Sequence, residues 1–416
     1  MKKTLNVVEL FAGVGGFRVG LEKADKELFQ TVWANQWEPS KKVQDAFNCY
    51  NTHFPFSVNC NDDIGKVSNK TFEDMDIDLL VGGFPCQDYS VARSLSKEQG
   101  IEGIKGVLFW EIRRIVEVSH PKYILLENVD RLLKSPSKQR GRDFSIMLAT
   151  FRDLGYIVEW RVINAAEYGT AQRRRRIFIF AYDKSMAYAT DQLQKSTSEI
   201  LLKDGFFAST FPVKEEIYKN RDDKVELPID LVEISDDFSF NYHTSGIMID
   251  GKIHTMHTEA LNPKAIPLKN ILQDEAEVDE KFYLSEVAIE KFAYLRGPKK
   301  IERTSKEGHK YTFSEGGMSP VDSLDLPGRT MLTSEGTTNR SSHIVEVNGR
   351  RRYLTPIECE RLNGFPDNWT ATMSDRMRYF CMGNALVTNL IEKMGNTIKL
   401  IDEQETQNST QITLAI

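Results

Sequence analysis

Leu5-Asn6-Val7-Val8-Glu9-Leu10-Phe11-Ala12-Gly13-Val14-Gly15-Gly16-Phe17 decides the fold. Leu5–Leu10 is an apolar run of strand length, and the glycine turn after it opens a helical pattern. Such a turn brings backbone N–H groups and a helix N-terminus close to a ligand, at the carboxyl end of a strand. Further apolar runs predict strands at Phe29–Asn35, Asp78–Val81, Tyr123–Glu127, Tyr156–Asn164 and Ile177–Tyr182. Helical patterns lie between most of them, as at Val107–Val118 and Asp143–Leu154. The alternation specifies an α/β fold, with a largely parallel sheet and helices on both faces.

That rhythm dissolves between residue 185 and about 345, where β-type pieces and turns such as Asp250-Gly251, Gly316-Gly317 and Asn348-Gly349 accumulate. Helix signals resume at Thr355-Pro356-Ile357-Glu358, which has the form of a capping box with proline at the first helical position. A last helix is expected over about Leu386–Ile401, after the turn Gly383-Asn384, followed by a polar tail from Asp402. We therefore expect a first domain over 1–184, a smaller irregular β-rich domain inserted over 185–375, and a segment 376–416 that returns to the first domain.

The 416 residues leave room for both units, and 40% hydrophobic with 27% charged residues is the balance of an ordinary globular chain. No apolar run approaches the roughly 20 residues of a membrane span, so no membrane partner and a cytoplasmic location are expected. Five scattered cysteines without paired spacing argue against a disulfide framework and against a metal site. The formal charge of −6 conceals an uneven distribution. Asp222–Glu290 holds 16 acidic against 5 basic residues, while Arg296–Arg352 holds 11 basic against 7 acidic. With Arg173-Arg174-Arg175-Arg176 and the stretch from Arg131 to Arg142, basic patches that permit a polyanionic partner stand apart from the acidic region.

Two places carry chemistry. Gly82-Gly83-Phe84-Pro85-Cys86-Gln87 sets a thiol behind a proline directly after an expected strand, where glycines allow close approach to a substrate. The turn Gly13–Gly16 has Arg18 where a dinucleotide fingerprint needs a third glycine, and it lacks the Gly-Lys-Ser/Thr of a P-loop. Asn35-Gln36-Trp37-Glu38, at the end of the second strand, offers an aromatic face beside polar groups, which suits an adenine and a ribose.

Taken in order, Phe11–Phe17, Gly83–Gln87, Glu127-Asn128-Val129, Gln172–Arg176, Arg352–Glu358 with Gly364-Phe365-Pro366-Asp367, and Gly383-Asn384-Ala385 resemble the successive motifs of the DNA (cytosine-5) methyltransferases of bacterial restriction-modification systems. The resemblance runs from residue 4 to about 400, and its variable, target-recognition region falls on the irregular domain. It implies a Rossmann-like sheet that binds S-adenosylmethionine, with a cytosine in double-stranded DNA as methyl acceptor. Motif match assigns cofactor contacts to Phe11, Ala12, Gly13, Gly15, Gly16, Gln36, Trp37, Glu38, Asp63, Ile64, Pro85, Leu108, Asn384 and Ala385. The family has glutamate where Gln36 stands, which removes a charge-assisted bond to a ribose hydroxyl.

The chemistry follows from the ring. Cytosine C5 becomes nucleophilic once a thiolate adds at C6, a role the resemblance gives to Cys86. Glu127, ending an apolar strand whose desolvation favours a protonated carboxyl, would engage N3. Arg174 and Arg176 share a strand face by period-two spacing; the resemblance gives one of them the cytosine O2 and the other Glu127 or the thiol. The target base must first leave the stack. Gln87, Ser90 and Arg93, in a glycine-containing stretch ending at Val107, are expected to close over it. Arg329, Thr330 and Arg340 are expected to read base edges and phosphates. A cognate restriction endonuclease is an expected partner. A structured RNA as acceptor, or a catalytically silent DNA-binding relative, are the competing readings.

Overall fold

The computed structural model describes residues 4–84, 108–305 and 308–415. Among these, ten strands form one mixed sheet, ordered β3-β2-β1-β4-β5-β7-β6-β9-β10-β8. The strands are β1 (Leu5–Leu10), β2 (Phe29–Asn35), β3 (Val58–Cys60), β4 (Leu79–Gly83), β5 (Tyr123–Val129), β6 (Tyr156–Asn164), β7 (Arg175–Asp183), β8 (Asp222–Glu226), β9 (Ser245–Ile249) and β10 (Lys252–Met256). Along each central strand the side chains alternate between two apolar layers. Val8, Leu80, Ile124 and Ile179 enter one core, and Val7, Val81, Leu125 and Phe180 the other. A strand buried on both faces has no polar side to present, which is why these segments read as continuous apolar runs.

β1 to β5 pair in parallel. β7 runs antiparallel to both β5 and β6. The expected largely parallel sheet is thus a mixed one, for a simple reason. Only residues 165–174 connect β6 to β7, and a parallel crossover needs a dozen or more. The sheet also continues past residue 184. β8, β9 and β10, from the region expected to be the inserted domain, extend it in antiparallel fashion from β6.

Strand order reverses at β1, with β2 on one side and β4 on the other. Crevices at such a switch point, beyond the carboxyl ends of the strands, are where open α/β sheets take ligands. The chain's end returns to this unit. Leu390, Ile391, Met394 and Ile398 of the helix Thr388–Ala415 share a core with Phe17 and Leu21 of the helix Gly16–Asp25. The capping box at Thr355 and Glu358 is formed, while the helix Asp375–Asn384 was not expected from its pattern.

Two small sheets lie apart from the large one: β11 (Lys299–Thr304) with β12 (Lys310–Glu315), and β13 (Ile344–Val347) with β14 (Arg350–Tyr353). The β11–β12 ribbon is exposed along most of its length and carries Lys300, Arg303 and Lys310. Its root is held by buried Arg296, which donates to Ser319 O, Pro320 O, Ser342 O and Asp322. No helix among the described residues is long and apolar enough to cross a membrane.

Candidate active site

The carboxyl end of β1 turns sharply. Phe11, Gly13 and Gly15 take φ of 55°, 56° and 90°, and Gly15 caps the helix Gly16–Asp25. A Cβ at Gly13 would meet nothing within 4 Å, so open space lies against the backbone there. The other candidate cofactor contacts stand around this turn. Gly13 N donates to Gln36 Oε1 at 2.7 Å, which ties the ends of β1 and β2 together. Asn61 Nδ2 donates to Gln36 O at 2.6 Å, and Asn35 Nδ2 to Asp62 O at 2.9 Å, which bring in the end of β3. Asp63 accepts from Gly65 N as a cap, and Lys66 Nζ lies 5.8 Å from the Trp37 ring. Ile64 points into the core, and Leu108 packs against the same apolar cluster. Glu38 is half-buried, and burial pushes its carboxyl above the ordinary value. Asn384 and Ala385 end the helix Asp375–Asn384, next to Leu386, which lies against Gly16.

Beneath the turn lies Glu9, which sequence reasoning did not assign to the site. It is fully buried; Tyr50 donates to Oε2 at 2.9 Å, and Oε1 has no hydrogen-bond partner. Burial pushes its carboxyl up to about 7, against the Tyr50 bond, the Arg18 charge and the amides of Phe17 and Arg18. An acidic residue inside an otherwise apolar strand was the signal for it.

On the other side of the switch point, Glu127 lies opposite Gly83 in the β4–β5 register. Arg176 Nε pairs with Glu127 Oε1 at 2.9 Å, and both side chains keep some exposure, 18% and 14%. Glu127 is thus held by a guanidinium rather than enclosed by apolar side chains as its strand suggested. Buried Asn128, also unassigned from sequence, donates to Phe84 O at 3.0 Å and accepts from Val129 N at 2.8 Å. It fixes the last described residue of β4's exit relative to Glu127. Pro85, Cys86, Gln87, Ser90 and Arg93, with the rest of the stretch to Val107, lie outside the described residues.

Arg174 lies just before β7 rather than on a strand face shared with Arg176, and the surroundings of the two arginines differ. Arg174 is buried and donates to Met331 O and Gly383 O, both at 3.1 Å, while its Nε has no partner. Burial pulls it down to about 9, with Arg176 adding to the shift and Glu127 opposing it. Arg173 and Arg175 alternate outward and are exposed.

The three candidates for base reading are engaged within the protein. Arg329 forms a fork to both oxygens of Asp322, at 2.7 and 3.3 Å, and reaches Ser342 O. Against the upward pull of burial, Arg329, His343 and the Ile344 amide hold Asp322 well below the usual carboxylate range. Arg340 donates to Leu295 O and Gly316 O and pairs with Glu315. Thr330 donates to Arg173 O. A sequence shows which residues are cationic, but not whether an aspartate lies beside them in space.

Residues 5–400 match the profile of the C-5 cytosine-specific DNA methylases. The chain is 55% identical over 410 residues to the Type II methyltransferase M.Sau3AI of Staphylococcus aureus, covering 99% of both chains. It is 27% identical to M.HhaI of Haemophilus parahaemolyticus over 395 residues, covering 95% of this chain and 94% of that one. Among solved structures, the S. pombe Dnmt2 methyltransferase shares the fold with a TM-score of 0.60 at 16% identity, over 97% of this chain and 99% of the other.

Proposed function

The chain belongs to the C-5 cytosine-specific DNA methylase family, and from that premise we propose that it methylates C5 of a flipped-out cytosine in duplex DNA, with S-adenosylmethionine as donor. The observation that carries this reading is the Glu127–Arg176 pair beside Gly83, on the β4–β5 side of the open glycine turn that ends β1.

The turn fits the donor. Open space at Gly13, backbone N–H groups around the helix start, and the half-buried Trp37 and Glu38 suit a nucleoside with a charged amino-acid end. Phe11, Ala12, Gly13, Gly15, Gly16, Gln36, Trp37, Glu38, Asp63, Ile64, Pro85, Leu108, Asn384 and Ala385 are assigned to hold it. When bound, it supplies an electrophilic methyl group on a sulfonium.

The chain's residues prepare the acceptor. Cys86 follows Phe84 by two residues in the sequence, and Asn128 holds the Phe84 carbonyl beside Glu127. The Cys86 thiolate adds to C6, the ring's aromaticity is lost, and electron density moves to C5. Glu127 hydrogen-bonds the N3 edge and stabilises the charge that develops there. Arg176 orients Glu127 and is assigned to cytosine O2. Arg174 holds this group through Met331 and Gly383. Once C5 carries the methyl group, its proton passes to a base, the electrons of that bond restore the ring, and the thiolate leaves C6 to release the methylated base.

Gln87, Ser90 and Arg93 are assigned to the phosphates and the vacated stack around the flipped base. Because β8, β9 and β10 belong to the large sheet, target recognition is assigned to the part of the middle segment after β10 rather than to all of 185–375. There the exposed ribbon cations Lys300, Arg303 and Lys310 are better placed to meet phosphates than Arg329 or Arg340. A cytoplasmic enzyme that protects host DNA from a cognate endonuclease fits the relatives' Type II designation. The test has two parts. Bisulfite sequencing of plasmid DNA from expressing cells should reveal protected cytosines in one sequence context. An oligonucleotide of that context carrying 5-fluorocytosine should trap the wild-type protein covalently and leave the Cys86→Ser variant free. No protected cytosine, or trapping of the serine variant, refutes the reading.

A further inference from the structure

Four chain segments meet behind the Glu127–Arg176 pair in a closed ring of buried hydrogen bonds. Gln172 Oε1 accepts from Met331 N at 3.0 Å, and Gln172 Nε2 donates to Asn363 Oδ1 at 2.8 Å. Asn363 Nδ2 donates to Met382 O at 2.9 Å. The next residue, Gly383, accepts from Arg174, whose other arm returns to Met331 O. Gln172, Arg174, Met331, Asn363 and Met382 are all buried. The packing is as tight as the bonding: a Cβ on Gly383 would lie 2.5 Å from Leu332 C and from Thr333 N.

Each segment leads to a different part of the site. Arg174 leads within two residues to Arg176 and its carboxylate. Met331 follows Arg329, which shares Asp322 with Arg296 at the root of the β11–β12 ribbon. Gly383 precedes Asn384, beside the glycine turn. Both polar ends of one amide are used, and in a buried ring an amide cannot rotate or slide without leaving a partner unsatisfied. A displacement at any one segment is therefore transmitted to the others.

We propose that Gln172 is a positioning residue that couples the DNA-reading segment to the cofactor loop and to Arg176, so that binding of DNA and of cofactor reinforce one another. This rests on the function proposed above. The Gln172 amide does not touch substrate; it keeps Met331 and Asn363 in one arrangement that both ligands favour.

The experiment is a binding cycle. The affinity of S-adenosylhomocysteine is measured by calorimetry with and without a duplex that carries the methylated context, for the wild type and Gln172→Leu. The wild type should bind the cofactor product about tenfold more tightly when DNA is present, within the usual range for coupled sites. In Gln172→Leu that ratio should fall to within about twofold of one, while cofactor affinity without DNA changes little. Methyl transfer at saturating DNA and cofactor should drop, a loss in kcat rather than in KM for the cofactor. If the leucine variant melts before assay temperature, Gln172→Glu keeps an oxygen for Met331 N and, when ionised, sets a charged oxygen against Asn363 Oδ1, and the same loss is expected. An unchanged ratio in a folded variant overturns the proposal, and so does absence of coupling in the wild type. Failure of the wild type to bind or methylate DNA at all would instead overturn the function on which it rests.

Discussion

Replacing Glu9 by Gln should change stability in a pH-dependent way, and the size can be worked from its surroundings. The carboxyl is fully buried, one oxygen accepts from Tyr50, and the other has no partner. Burial raises it from the ordinary 4.5 to about 7. The folded protein thus holds this proton more tightly than the unfolded chain. Stability from the group is fully present below about pH 4.5 and is lost as pH rises through about 7. At about 1.4 kcal/mol per tenfold in proton affinity, the loss across that window is about 3 kcal/mol. Glutamine cannot ionise, so Glu9→Gln removes the slope and leaves only a constant cost, from placing an NH2 group beside the amides of Phe17 and Arg18. Buried Glu159, which burial also raises to about 7, is common to both proteins and cancels in the difference. Melting temperatures of both proteins should be taken from pH 5 to pH 8.5 in buffers of equal ionic strength. The variant should lose ground at pH 5 and recover on the order of a few °C relative to wild type by pH 8.5. A difference that stays constant across the range would refute the assignment of a desolvated carboxyl to β1.

Two other substitutions bear on the ligands. Gln36→Glu keeps the acceptor for Gly13 N and adds a charged oxygen toward a ribose hydroxyl. S-adenosylhomocysteine should then bind about fivefold more tightly in calorimetry, a gain of about 1 kcal/mol. Lys300→Gln with Lys310→Gln should reduce the slope of log affinity against log salt by about 2 for duplex DNA, leaving cofactor affinity unchanged. An unaltered slope would remove the β11–β12 ribbon from the phosphate interface.

The strands of the central sheet were legible because they are buried on both faces. Leu5–Leu10, Phe29–Asn35 and Tyr156–Asn164 begin and end where their apolar runs do. β8 was hidden for the opposite reason. It is the edge strand Asp222-Asp223-Lys224-Val225-Glu226, whose charges face solvent and blunt the edge, so only its pairing with β10 marks it as sheet. Candidate site residues could be named from their motifs, but Arg174 precedes β7, so strand spacing does not by itself explain its place near Arg176. What each arginine touches could not be read. Arg174 meets two carbonyls from segments 157 and 209 residues away, and Arg329 meets an aspartate only seven residues away across a turn. Such partners are set by the fold, not by neighbouring letters. Asn128 and Gln172 stood inside recognised motifs, yet uncharged amides give no hint that they serve as struts.

The pairing of the first helix with the last has a consequence for synthesis. Phe17 and Leu21 leave the ribosome early, but the apolar surface that covers them, Leu390 to Ile398, is translated near the end. A nascent chain must therefore carry an uncovered hydrophobic stripe through most of its elongation, a natural station for a chaperone. A message cut short before Thr388 would yield a product without the surface that covers Phe17 and Leu21.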